Sequence, residues 1–284
     1  MANARIVTDV TAFLEPELIT QLQITVLPLD VKFGKQTFRI SSRQTWDRFF
    51  DHIAEGQAQL AEISIPPDAF RQAFGQLNRE TEEILVIPSS GRLSSVLTQA
   101  QNAARAFLGR CRIQVMDSMS VSWGLGFLVQ AAAEAAAQGQ SLDQIVRLVR
   151  GMLPHIYLVF TTERLDYLER GGRIGSAQAL LGTLLHIKPL LLVEDGEIVP
   201  VEKVRTRELA LEKLADFVAE FAAIQQVVIL KSPLECGHGP QIEELREHLR
   251  LALPNQDVPV IEYDPILACH LGPEALGVVV YEGF

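Results

Sequence analysis

Residues 84–107 read ILVIPSSGRLSSVLTQAQNAARAF. Four consecutive apolar residues without polar alternation mark a strand buried on both faces, as strands of parallel sheets are. The run stops at Pro88, a loop with four serines, a glycine and an arginine follows, and a helical pattern starts near Val96. Strand, polar loop and helix in that order make half of a βαβ unit. In open α/β sheets ligands sit beyond the carboxyl ends of the strands, where such loops meet helix N-termini. The serines therefore either cap the helix or hold an anion.

Working outward, further apolar runs at 4–10 (ARIVTDV), 24–33 (ITVLPLDVKF) and 111–118 (CRIQVMDS) predict strands that alternate with helices. That alternation indicates an α/β fold with a mainly parallel sheet flanked by helices. The stretch VSWGLGFLVQAAAEAAAQG predicts a helix ending at Gly139, and Ser141 is placed to cap the next one. After Pro154 a new strand, HIYLVFTT, opens a second unit with short helices over ERLDYLERGG and SAQALLGTLLH. Asp195-Gly196 between two apolar runs is a hairpin signal, so this unit should hold a mixed sheet with helices. The expected division is an N-terminal α/β domain over 1–155, carrying the serine loops, and a C-terminal α/β domain over 156–284.

The bulk properties exclude several functions. With 284 residues, 25 Lys and Arg against 35 Asp and Glu, and a net charge of −10, the chain lacks the basic surplus that phosphate backbones require, so no nucleic acid partner is expected. No apolar run reaches the length of a membrane span and the N-terminus lacks a signal-peptide pattern, so the expected location is the cytoplasm, without stable membrane insertion. Cys111, Cys236 and Cys269 lack CxxC spacing, and the six histidines lack a ligand pattern; no metal and no cofactor are expected. There is no GxxxxGK[ST] phosphate loop, no GxSxG nucleophile and no paired-carboxylate motif, so no catalytic residue is assigned. Lys188, in the apolar setting LLHIKPLL beside His186, needs a carboxylate or carbonyl partner if buried.

Several segments together carry a resemblance: IVTDVTAFLEPELITQLQITVLPLDVKF, PSSGRLSSVLTQAQNAA, VMDSMSVSWGLGFLV, LDYLERGGRIGSAQALLGTLLHIKPLL, DGEIVPVEKVRT and HLGPEALGVVV. In this order and spacing they resemble the DegV family of fatty-acid-binding proteins, and YLERGGRI followed by IKP is the most specific part. The resemblance implies a two-domain carrier, not an enzyme, that sequesters one long-chain fatty acid in a tunnel between its domains. A fatty acid kinase catalytic subunit is the partner it implies, phosphorylating the presented carboxylate. It places the carboxylate on Ser64, Ser94, Ser95 and His270, and gives Arg170, Arg173 and Arg205 a phosphate or partner contact. Two polar groups of the family pattern are replaced here, by Ile63 and by Ser95-Val96. Two rivals stand beside the carrier: an acyl hydrolase using Ser94 with His270, and a binding protein for another small amphiphilic anion.

Overall fold

A computed structural model describes residues 3–42, 45–54, 61–66, 68–163, 166–170, 187–234 and 239–283. The chain divides into two compact units, one of Met1–Trp46 with Ala61–Pro154, the other of Asp47–Leu60 with His155–Phe284. Residues 47–60 thus belong to the second unit, whereas a single cut near 155 assigns them to the first. The cause is a short amphipathic helix whose buried Phe49, Phe50 and Ile53 find their apolar cover in the second unit.

In the first unit the described elements are β1 (Arg5–Asp9), α1 (Pro16–Gln21), β2 (Thr25–Leu27), β3 (Leu29–Phe33) and β4 (Gln36–Ile40). After α2 (Asp47–Ala54), which packs with the second unit, follow β5 (Ala61–Ser64), α3 (Ala69–Leu77), β6 (Glu83–Val86) and α4 (Val96–Arg105). Then come β7 (Arg112–Val115), α5 (Ser122–Ala137) and α6 (Leu142–Met152). The main sheet runs β2-β1-β6-β7 and is parallel throughout. The chain leaves β1 toward β2 on one side and returns to β6 on the other, so the topological switch point lies between β1 and β6. That is where such sheets bind ligands.

The expected strand over 24–33 is two strands. Pro28 has no N–H to give a ladder, and the chain changes sheets there: β2 joins the parallel sheet and β3 pairs antiparallel with β4 and β5. Helix α5 follows the sequence closely. Gly139, at φ 80°, stops it, its N–H donating to Ala136. Gln144 then accepts from both the N–H and the hydroxyl of Ser141, fixing the start of α6. Gly126 is needed for close approach, since a Cβ there would stand 2.4 Å from the Ala12 carbonyl oxygen.

The second unit contains β8 (Ile156–Thr161), α7 (Asp166–Arg170), β9 (Lys188–Glu194), β10 (Glu197–Val204) and α8 (Arg207–Ala219). These are followed by β11 (Ile224–Lys231), α9 (Gly239–Ala252), β12 (Val260–Glu262), α10 (Pro265–Leu271) and β13 (Leu276–Glu282). Its sheet has the order β10-β9-β8-β13-β11-β12 and is mixed, with β11 and β12 parallel and the other pairs antiparallel. Asp195 and Gly196 both take positive φ, as the two-residue hairpin turn between β9 and β10 requires. One face of the sheet, with Val159, Ile229 and Val278, packs against Leu211 and Leu214 of α8 and Leu245 and Leu249 of α9. The expected helix over 176–186 with His186, and also Arg173, Cys236 and His238, lie outside the described residues.

Candidate functional site

Three strands of the parallel sheet lead into buried polar residues: β1 ends in Thr8 and Asp9 and is followed by Thr11, β6 is followed by Ser89, Ser90 and Ser94, and β7 by Ser118 and Ser120. Asp9 organises them. Its carboxylate accepts from the Thr11 N–H at 3.1 Å, from the Thr11 hydroxyl, and from the Ser89 N–H at 2.7 Å. A buried carboxylate is tolerated only when donors surround it, and here the donors come from both sides of the switch point. The Ser90 N–H in turn donates to the Ser120 carbonyl at 2.9 Å, and the Gly91 N–H to Asp117 at 3.3 Å. The serine loop is thereby tied to the loops after β1 and β7.

Capping of α4 falls to Ser94, whose hydroxyl accepts from the Val96 N–H at 3.4 Å. Ser95 is the N-cap of α4, yet its side chain does not cap; its hydroxyl donates instead to the Ile63 carbonyl at 2.9 Å. Gln99, one turn into α4, brackets Ile65, its Oε1 accepting from the backbone N–H at 2.7 Å and its amide donating to the carbonyl at 3.2 Å. These bonds place the end of β5, with Ser64, beside Ser94 and Ser95, so the two hydroxyl loops are brought together. They differ in what they can offer. The single proton of Ser95 is committed to Ile63, which leaves that hydroxyl as an acceptor only. Ser94 shares a 3.1 Å hydrogen bond with Ser89 and has the Ser90 carbonyl at 3.4 Å. The Ser64 hydroxyl, half-buried, has no partner among the described residues.

His270 lies in the second unit, on α10, every residue of which is buried. Asp264 caps that helix, accepting from the N–H groups of Ile266 at 2.8 Å and Leu267 at 3.2 Å, with Pro265 at the first helical position. The far end, next to His270, is held by two hydroxyls, Thr162 donating to the Leu271 carbonyl and Tyr263 to the Gly272 carbonyl, while the Tyr167 hydroxyl donates to the Ile53 carbonyl of α2. Gly272, at φ 78° and ψ −177°, lies against the Tyr167 ring, where a Cβ would stand 2.6 Å from a ring carbon. Burial, with the Asp264 charge second, pushes the neighbouring Cys269 thiol well above its usual range, which makes it a packing group.

Beneath α10 the second face of the mixed sheet bounds a narrow cleft with a cavity volume of about 10 Å³, lined by Leu158, Phe160, Leu230, Tyr263, Leu267 and Leu271. Gly277 also lines it and lets β13 lie close to Phe160. A wider hollow of about 320 Å³ beside Asn3, Arg5 and Gln23 opens at the start of β1, opposite the carboxyl end of the strands where such sheets bind ligands.

Among the arginines, Arg170 is the last residue of α7, and Arg205 is exposed in the turn before α8, with no ion pair among the described residues. Lys188 has the carboxylate its burial demands: Glu163, which also accepts from Arg207 at 2.8 Å. Desolvation, followed by the Arg207 charge, lowers the Lys188 pKa. Asp9, Thr11 and the residues after β7 were not singled out from the sequence as site residues. Their signal was present in the recurrence of Asp, Ser and Thr directly after each strand, in TDVT, PSS and MDSMS.

The DegV family model matches residues 3–283. The chain belongs to the DegV family. A DegV domain-containing protein of Deinococcus radiodurans is 35% identical over 278 residues, 97% of each chain. Two solved DegV structures share the fold over 99% of this chain and 100% of theirs, both with a TM-score of 0.83. One is a DegV family protein of Thermus thermophilus, 28% identical and described for its fatty acid binding; the other is DegV of Bacillus subtilis, 26% identical and described as a fatty acid binding protein. The parallel sheet and the mixed sheet with helices are the two parts of the DegV fold. Among the described residues no DegV helix here is long and apolar enough to cross a membrane.

Proposed function

We propose that this DegV protein is a carrier that binds one long-chain fatty acid and presents its carboxylate, without turnover of its own. The observation that carries the reading is the full-length likeness to two DegV proteins described as fatty acid binding. Physical chemistry supports it. A chain of about sixteen carbons has roughly fourteen methylenes, whose burial at about 0.8 kcal/mol each supplies on the order of 10 kcal/mol before ordering costs. The second unit offers apolar surface of that kind under α10. Its cleft, with a cavity volume of about 10 Å³, is far below the ~300–1,000 Å³ of ordinary ligand pockets, so a full tail enters by displacing side chains such as Leu271. The carboxylate contributes direction, because it settles only where donors meet it. Ser64, Ser94 and His270 are the donors proposed for it, and Ser95 joins them only by releasing Ile63.

The exposed Arg205, with Arg170 and Arg173, is proposed to meet a phosphate group or a fatty acid kinase that acts on the presented carboxylate. In this reading the chemistry belongs to the partner. Purified protein mixed with ATP, magnesium and palmitate, with no kinase added, is expected to yield no acyl phosphate trapped as hydroxamate. Hydroxamate formation above the protein-free control would overturn the carrier reading. The hydrolase rival predicts turnover of a p-nitrophenyl ester that Ser94→Ala abolishes, whereas the carrier shows none in either form.

A further inference from the structure

Helix α5 begins with groups that meet no hydrogen-bond partner among the described residues. Its N-cap, Val121, cannot accept through its side chain, and the N–H groups of Ser122, Trp123 and Gly124 meet no acceptor among the described residues. Ser122 is wholly buried and its Oγ has no hydrogen-bond partner among the described residues; the buried indole Nε1 of Trp123 has none among them either. A helix end buried without partners is costly, as is each unmade donor. Ser122 is also held at φ 56°, and Met119, just before it, at φ 50°. Left-handed non-glycine residues are strained and gather at ligand clamps.

The amide and indole groups only donate, and the hydroxyl is free to donate. Their complement is a group that only accepts, and the partial positive charge of a 16-residue helix at its N-terminus favours an anion. The connection from β7 to α5 stands at the carboxyl end of the parallel sheet and is bonded to the serine loop through the Ser90 N–H and Ser120 carbonyl. We propose that the start of α5, with Ser122, forms a further seat for the carboxylate of the bound lipid. The proposal rests on the fatty acid reading above. Ser122 has no exposed surface, so an oxygen enters only as the connection through Met119, exposed and left-handed, shifts aside.

The test compares wild type and Ser122→Ala, both stripped of co-purified lipid on a hydrophobic resin, for binding of palmitate and of hexadecanol. Removing a donor to a charged acceptor should weaken palmitate binding about tenfold or more and leave hexadecanol unchanged. The lipid-free variant should melt at the same temperature as wild type or higher, because it loses an unsatisfied buried hydroxyl. A palmitate affinity within twofold of wild type would overturn the inference while leaving the fatty acid reading intact. Equal losses for both lipids with a lower melting temperature would mean a structural role and overturn it too. Wild type binding neither lipid would overturn the fatty acid reading and this seat with it.

Discussion

Gly272→Ala is expected to destabilise the protein by at least about 3 kcal/mol, combining overpacking with a backbone region essentially reserved for glycine. Gly272 ends α10 at φ 78° and ψ −177°, and a new Cβ would press on the Tyr167 ring at 2.6 Å. Neither partner can yield cheaply. Tyr167 is buried and its hydroxyl donates to Ile53, while the Gly272 carbonyl accepts from Tyr263. Strain at this point falls on the residue two positions earlier, His270. The variant should therefore melt roughly 10 °C lower, on the scaling of a few degrees per kcal/mol for a chain of this size, and lose fatty acid affinity beyond what its stability loss explains. Tyr167→Phe, which keeps the ring and removes only the hydroxyl, should cost about 1 kcal/mol. A Gly272→Ala protein melting within 2 °C of wild type would show that the end of α10 is not braced in this way.

Asp9→Ala should be comparably severe. The substitution strands three buried donors, the Thr11 N–H, the Thr11 hydroxyl and the Ser89 N–H, and each unmade buried bond costs about 1–3 kcal/mol. A total of about 3–5 kcal/mol allows for some of them finding water. Asp9→Asn does not repair the loss, because one side of the amide presents N–H groups to donors. Both variants should melt roughly 10 °C below wild type, and the loop through Ser89 and Ser94 should show faster amide exchange. If Asp9→Asn melts like wild type, Asp9 does not link the loops after β1 and β6.

Much of this was legible in the sequence because it is local. Uninterrupted apolar runs gave the buried strands, Gly139 and Ser141 gave the limits of two helices, and Asp195-Gly196 gave the hairpin. What could not be read locally was pairing. ITVLPLDVKF reads as one strand, but the parts on either side of Pro28 join different sheets. The helix at 47–54 is amphipathic in either unit, and only packing decides which one covers its apolar face. The serine loop was found by its composition, yet the allocation of its protons was not. Ser95 is spent on Ile63 because β5 happens to end there, and Asp9 matters because β1 and β6 are neighbours that the sequence separates by more than 70 residues. Charged residues were easier: the apolar surroundings of Lys188 demanded a counter-charge, and Glu163 supplies it.

The central claim is that this DegV chain holds a fatty acid. Its most direct test is extraction of the purified protein with organic solvent, followed by mass spectrometry of the extract with the protein concentration measured in parallel. The account predicts a long-chain fatty acid at close to one molecule per chain. A lipid-free extract from protein that also fails to take up added palmitate, or stoichiometric recovery of a different class of amphiphile, would contradict it.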